Sequence, residues 1–294
     1  MAQTVLITGA SGFIAAHVIE LSSKRDTIFA ELIAIVPDIA APNAFDEAVK
    51  GVDGASRLTN VIHTASPVIF NATDFDTELL QPAISGTTGI LEAVQKYNSA
   101  VSRIIITSSS PRSWTPHRAN APDMSYAEAN WNPLTIEQAN SSPKKKPNFT
   151  VATLCPPMVY GPVAHAVSGV NALNTSAGDI YRLIKRLGEG CSRYFFLGIR
   201  RFAEAHVLAF EKPQAAGQRY LIANSAYSYQ LICDIIRDKF PELQNKTPKG
   251  DTGAALPPVY KVDTTKAVTE LGIKFRPLQD TIVDMVNSLL ALQK

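Results

Sequence analysis

Gly9, Gly12 and Ala15 stand three residues apart, directly after the uncharged apolar run Val5-Leu6-Ile7. That pattern can hold a pyrophosphate. Gly9 lets the chain turn sharply off a strand, Gly12 leaves the backbone open to a phosphate, and Ala15 lets the next helix lie close to the sheet. The helix continues through Ala16, Val18, Ile19 and Leu21, and its N-terminus faces the anion. Three small residues are a weak signal alone. The strand before them and the helix after them are the context this chemistry needs, and an ordinary strand-to-helix turn is the competing reading. Other reactive types are more scattered. Arg103–Ser110 ends in four consecutive hydroxyls, Thr107 to Ser110. His63 closes another apolar run and reads as a packed strand-end residue rather than a base. Asp38 follows the apolar run Leu32–Val36, where it could act as the ribose-binding acid of an NAD enzyme. Cys155, Cys191 and Cys233 are far apart and odd in number, so they read as reduced thiols of a cytoplasmic protein rather than disulfides or a zinc site. No metal site is expected.

The elements that must position these residues alternate in type. Apolar, β-branched runs predict strands at Val5–Thr8, Leu32–Val36, Asn60–Ala65, Arg103–Ser110, Phe149–Leu154 and Arg219–Ala223. Helical spacing falls at Ala44–Lys50, Thr73–Tyr97, Asp179–Leu187, Ala203–Glu211, Leu231–Phe240 and Asp280–Leu292. Residues 111–148 are rich in Pro, Asn and Ser, with one short helical candidate at Ile136–Asn140. Strands alternating with helices predict an α/β fold with a mainly parallel sheet.

Composition narrows the function classes. A net charge of +2 gives no ground for a nucleic-acid partner. Glu31 interrupts the longest apolar run, FAELIAIV, so no membrane span is expected. The first strand begins at once, which leaves no room for a signal peptide. A hydrophobic content of 46% over 294 residues is enough for one large domain or one and a half.

An ordered set of motifs then carries a family resemblance. They are TGASGFIA, VPDI (Val36–Ile39), HTASP (His63–Pro67), TSSS (Thr107–Ser110), WNP (Trp131–Pro133), VYGP (Val159–Pro162), NTS (Asn174–Ser176), GQRYLIA (Gly217–Ala223) and LGIKFRPLQDTI (Leu271–Ile282). The chain resembles the extended short-chain dehydrogenase/reductases over nearly its whole length. Within them it is most similar to the fungal methylglyoxal/isovaleraldehyde reductases, near dihydroflavonol 4-reductase and cinnamoyl-CoA reductase. The resemblance implies a shortened Rossmann-type, doubly wound parallel sheet over 1–160 and 196–212. It also implies a small C-terminal substrate domain over 161–195 and 213–294. The implied activity is NADPH-dependent reduction of a small-molecule aldehyde or ketone, with NADH and a homodimer left open. By residue, it implies that Gly9, Ala10, Ser11, Gly12, Phe13 and Ile14 hold the pyrophosphate and that Asp38 and Ile39 flank the adenine. Thr64, Ala65 and Ser66 would line the path to the nicotinamide, and Val159 and Ser176 would touch its end of the cofactor. Ser109 matches the serine that polarises the carbonyl, and Val68, Trp114 and Met158 fall at the substrate pocket.

Two departures stand out. The family places a tyrosine and a lysine four apart on a helix before the VYGP strand. Here Ser141–Leu154 reads SSPKKKPNFTVATL, with no tyrosine and no room for that helix. The Lys144-Lys145-Lys146 run reads as a solvated loop. Tyr181 and Lys185 have the spacing, but they follow NTS and belong to another segment. The second departure is the short link from Lys24-Arg25 to Val36, which omits a strand and a helix. Leu32–Val36 should therefore lie beside Val5–Thr8, or leave a gap there, in a sheet with fewer strands. Without the helix before Phe149, an apolar patch beside RIIIT and FTVATL is also expected. Three readings compete: a working reductase with an unrecognised proton donor, a non-catalytic dinucleotide-binding relative, and a defective splicing or gene-structure product of a reductase gene.

Overall fold

A computed structural model of the chain describes residues 4–25, 34–50, 58–66, 73–74, 76–109, 125–129, 147–185, 195–199, 202–256 and 260–293. These fall into two compact units. The first comprises residues 1–107, 134–153 and 206–219, and the second 108–133, 154–205 and 220–294.

The main sheet has the described strand order β1 (Thr4–Thr8), β2 (Leu58–His63), β3 (Arg103–Thr107), β5 (Thr150–Cys155) and β8 (Arg219–Leu221). β1 and β2 are parallel with Thr8 opposite His63, and β2 and β3 are parallel with His63 opposite Ile106. This register brings the C-terminal ends of the first strands level, the side on which open α/β sheets bind ligands. Val61 and Ile104 pack with Val49 of α2 (Asp46–Lys50) and with Ile90, Ala93 and Val94 of α3 (Gln81–Tyr97). Ile62 and Ile105 point to the other face by strand alternation and are equally buried. Both faces are thus covered, which is why Val61-Ile62 and Ile104-Ile105-Ile106 at their centres are apolar on consecutive residues. α1 (Phe13–Ser23) buries Ala15 and Val18 completely. α5 (Phe202–Glu211) is tied to the start of β3 by Arg103. Its Nη1 donates to the carbonyls of Ala209 (3.0 Å), Phe210 (3.3 Å) and Lys212 (2.5 Å). A cation there complements the negative end of the helix.

The second unit has its own small sheet of β6 (Met158–Val159), β7 (Phe195–Ile199) and β9 (Ser225–Ser228). β6 is parallel and β9 antiparallel to β7. β4 (Ser125–Tyr126) pairs in parallel with β10 (Lys261–Val262), beside a cluster of Tyr126, Ala223 and Tyr260. α7 (Leu278–Ala291) packs against both α4 (Thr175–Lys185) and α6 (Tyr229–Lys239). It does so with Ile282, Met285, Val286 and Leu289, a stripe at helical spacing. Ser228 caps α6, its Oγ accepting from the Leu231 N–H at 3.1 Å.

Three expectations change. The strand expected at Leu32–Val36 does not form over Ala34–Val36, and Ile35 is 85% exposed. The chain there is held by packing rather than pairing: Val36 and Ile39 rest against the α2–α3 cluster. It then turns through Asp38 and Ala41 toward the buried Phe45. Among the described residues, β1 has β2 as its one strand neighbour. Second, no large apolar side chain of β3 or β5 is exposed. Ile104 is buried, Ile106 and Val151 are half-buried, and Phe149 folds into the same cluster beside them. Third, the helix expected from Asp179 begins at Thr175, so Ser176 lies in its first turn. The small strands β4, β6, β7, β9 and β10 have no counterpart among the sequence expectations. They are two to five residues long and carry too little periodicity to be read. The helical candidate Ile136–Asn140 and the Lys144–Lys146 run lie outside the described residues.

Candidate dinucleotide site

The glycine turn is built as the spacing requires. Gly9 has φ +69°, a left-handed conformation that glycine adopts without penalty. A Cβ there would lie 3.0 Å from the Ala65 backbone and 3.2 Å from Thr64 Oγ1. The Gly12 N–H donates to the Gly9 carbonyl at 2.8 Å, and a Cβ on Gly12 would meet that same oxygen at 3.0 Å. Gly12 is also the N-cap of α1 and contributes no side-chain cap. Gly9, Ala10 and Ser11 are exposed, while Phe13 is buried and Ile14 half-buried. The result is a bare backbone cradle at a helix N-terminus, the arrangement that binds phosphate.

Opposite it, Thr64-Ala65-Ser66 leaves β2 and is fastened to β1. The Thr64 hydroxyl donates to the Thr8 carbonyl at 2.8 Å, and the Ala65 N–H donates to Thr8 Oγ1 at 3.2 Å. Thr8 Oγ1 also lies 2.8 Å from His63 Nδ1. A hydroxyl donates once and accepts twice, so this contact holds the ring in place with Nδ1 as donor or as acceptor. Burial pushes the His63 pKa down to about 4, and Phe45 packs edge-on against the ring at 5.7 Å. His63 is therefore the packed strand-end residue expected, and it also fixes the Thr8 hydroxyl that holds Ala65 against Gly9. Asp38 is exposed, with Oδ1 accepting from the Ala40 N–H at 2.8 Å. Ile39 packs on α3, its Cδ1 3.2 Å from where a Cβ on Gly86 would stand. Asp38 thus sits in a turn and not at the end of a strand beside β1, as a Rossmann ribose acid would.

In the second unit, Ser109 lies exposed two residues beyond the end of β3, after Ser108, whose N–H donates to the Leu154 carbonyl at 2.8 Å. Met158 and Val159 are half-buried in β6, and Ser176 is half-buried at the start of α4. Nearby in sequence, Asn174 Oδ1 is buried without a hydrogen-bond partner among the described residues. Val68 and Trp114 lie outside the described residues. The Lys185 ammonium sits over the Tyr181 ring, 5.8 Å from its centre. The sequence reading missed Thr8 and Asn174. Thr8 ends the strand that feeds the glycine turn, which was the signal available for it.

Residues 5–223 match the family described as NAD dependent epimerase/dehydratase. The chain belongs to that family. Its relatives in the family include the ketoreductase azaE of Aspergillus niger, 32% identical over 99% of this chain and 98% of that protein. Another is the NADPH-dependent methylglyoxal reductase GRE2 of Saccharomyces cerevisiae, 29% identical over 99% of each chain. Among solved structures, the yeast methylglyoxal/isovaleraldehyde reductase Gre2 complexed with NADPH matches at a TM-score of 0.84. It is 28% identical, with 99% of each chain covered. The fold is thus the Rossmann-type α/β fold expected. The alignment with the yeast reductase runs over 341 positions against 294 residues here, so at least 47 positions of that family member face no residue of this chain.

Proposed function

We propose that this chain is a carbonyl reductase by descent that binds NADPH and reduces a small aldehyde or ketone slowly. The observation that carries the reading is the cradle of Gly9 and Gly12 at the N-terminus of α1, with Ala65 held against it. Gly9 to Ile14 would hold the pyrophosphate, and Asp38 and Ile39 would flank the adenine. Thr64, Ala65 and Ser66 would line the path to the nicotinamide, whose end would meet Val159 and Ser176. When bound, the dihydronicotinamide supplies a hydride to a carbonyl carbon. The Ser109 hydroxyl would donate a hydrogen bond to the carbonyl oxygen and hold the developing oxyanion, with Val68, Trp114 and Met158 shaping the pocket. The division of labour we assign is dinucleotide binding to 1–160 and 196–212 and substrate binding to 161–195 and 213–294. Among the described residues no helix is long and apolar enough to cross a membrane. The compartment in this reading is the cytoplasm, where thiols such as those of Cys155, Cys191 and Cys233 stay reduced.

No tyrosine occurs between Tyr126 and Tyr160, so the tyrosine–lysine pair of the family's catalytic helix has no counterpart there. Losing a positioned general acid typically costs ~10²–10⁴-fold in rate. That absence, together with the 47 unmatched positions, favours a second reading in which the chain binds the dinucleotide without turning it over. One experiment separates the two. NADPH is titrated by fluorescence against the wild-type chain and Gly12→Val, and consumption is then followed with an aldehyde for wild type and Ser109→Ala. Binding lost in Gly12→Val, with slow turnover lost in Ser109→Ala, supports the reductase. Binding without turnover supports the second reading. No NADPH binding by the wild-type chain refutes both.

A further inference from the structure

In the second unit, one carboxylate collects hydrogen bonds from three directions. Asp179, on α4, accepts from the Tyr160 hydroxyl at 2.8 Å and from Arg182 Nε at 2.9 Å. It also accepts from the Tyr229 hydroxyl, at 3.0 and 2.9 Å to its two oxygens. Tyr227 donates in turn to the Tyr160 hydroxyl at 2.7 Å. Tyr160 and Tyr227 are 1% and 0% exposed, and their rings meet edge to face at 5.5 Å. The Arg182 guanidinium lies 4.5 Å over the Tyr229 ring. Each phenol has a single proton, and each has a defined acceptor. Burial raises the Tyr160 and Tyr227 pKa values well above the ordinary range, so neither phenol is suited to the acid role of the missing tyrosine. The network is a clamp rather than an acid.

What the clamp joins is specific. Tyr160 directly follows Val159, the end of β6. Asp179 lies three residues after Ser176 on α4, one turn further along the same helix face. The phenols of Tyr227 and Tyr229 come from β9 and α6. We propose that Asp179 is a positioning residue for the nicotinamide end of the cofactor, holding the segments that carry Val159 and Ser176 at one fixed separation through the Tyr160 hydroxyl. The inference rests on the NADPH reading above. It adds a residue outside every motif used for that reading. In Asp179→Asn the side chain keeps its shape but presents an N–H₂ group to at least one phenol donor. The clamp then loses hydrogen bonds while the buried rings stay in place.

The test compares NADPH with its nicotinamide-free fragment, 2′-phospho-ADP-ribose, each titrated against wild type and Asp179→Asn. The expected result is that the NADPH dissociation constant rises about fivefold or more, the scale of one or two lost hydrogen bonds. Fragment affinity should change by less than about twofold, and the fluorescence enhancement of bound NADPH should fall. Tyr160→Phe, which removes one hydroxyl and no carbon, should show the same selective loss at smaller size. It decides the matter if Asp179→Asn does not fold. Equal affinity for NADPH in wild type and the variant overturns the proposal and leaves the NADPH reading standing. Parallel loss of NADPH and fragment binding shows a merely structural role and also overturns it. Failure of the wild-type chain to bind either molecule overturns the proposal and the reading on which it rests.

Discussion

A methyl group on Gly9 would press against the Ala65 backbone at 3.0 Å while the chain held φ +69°. The left-handed conformation alone costs a non-glycine residue roughly 1–2 kcal/mol. Gly9→Ala is therefore expected to lower stability by at least about 1 kcal/mol, read as a shift of the urea midpoint. Gly12 has φ −86°, so Gly12→Ala carries no such backbone penalty. Its Cβ would still meet the Gly9 carbonyl at 3.0 Å, so a smaller loss of stability than for Gly9→Ala is expected, with weakened binding in an NADPH titration. His63 makes a prediction about acid. Its pKa is about 4 in the folded chain against an ordinary 6.5, because burial disfavours the imidazolium. The unfolded chain thus takes up the proton first. The neutral His63 contribution is full above about pH 6.5 and is lost as pH falls toward 4, where the difference reaches roughly 3 kcal/mol. His63→Asn, which keeps a hydrogen-bonding group for the Thr8 hydroxyl, should flatten this part of the stability curve. Urea titrations at pH 7, 5.5 and 4.5 would show it, and parallel curves would refute it.

Between elements, Arg103 joins the first residue of β3 to the C-terminus of α5. Its Nη1 reaches three carbonyls and its Nη2 a fourth, that of Pro213, at 3.3 Å. Hydrogen bonds from a charged donor are worth about 1.5–3 kcal/mol in total effect when the partner is lost. Arg103→Met should cost stability in that range, with amide exchange accelerated first in the last turn of α5. α4 carries the other test. Lys185 lies over the Tyr181 ring, and neither residue joins the Asp179 network. Tyr181→Phe should leave any carbonyl-reductase activity within about threefold of wild type. A loss of several orders of magnitude in kcat with an intact fold would show that this pair has taken over the role of the absent one.

At the scale of the whole molecule, the chain retains a family fold while lacking at least 47 positions of its yeast relative. The core has closed around the first sheet all the same. Phe149 is 8% exposed, and the cluster it joins includes Val61, Ile104 and Val94. The fold has therefore survived the shortening. Packing is distributed over many side chains, whereas proton donation depends on one. Inserting between Pro143 and Lys144 the helix with a tyrosine and a lysine four apart that the family resemblance implies should raise kcat/KM for an aldehyde by about 10²-fold or more. The affinity for NADPH should rise at the same time. An insertion that folds and leaves both quantities unchanged would refute this prediction.

By itself the sequence determined the features that depend on near neighbours. The Gly9–Gly12 turn is legible because a tight strand-to-helix turn and a phosphate cradle both need glycine within a few residues. The apolar runs of β1, β2, β3 and β5 are legible because strands buried on both faces carry few polar residues. Only the tertiary structure decided what depends on distant partners. Leu32–Val36 has the composition of a strand, yet Ala34–Val36 goes unpaired and Ile35 stands in solvent. Burial holds the His63 pKa down beside a hydroxyl that comes from 55 positions away, and the hold of Arg103 on α5 spans 106 positions. Asp179 became a clamp through Tyr229, 50 positions on. Hydrogen bonds and burial act through space, and spacing along the chain does not encode which far residue will arrive at the other end.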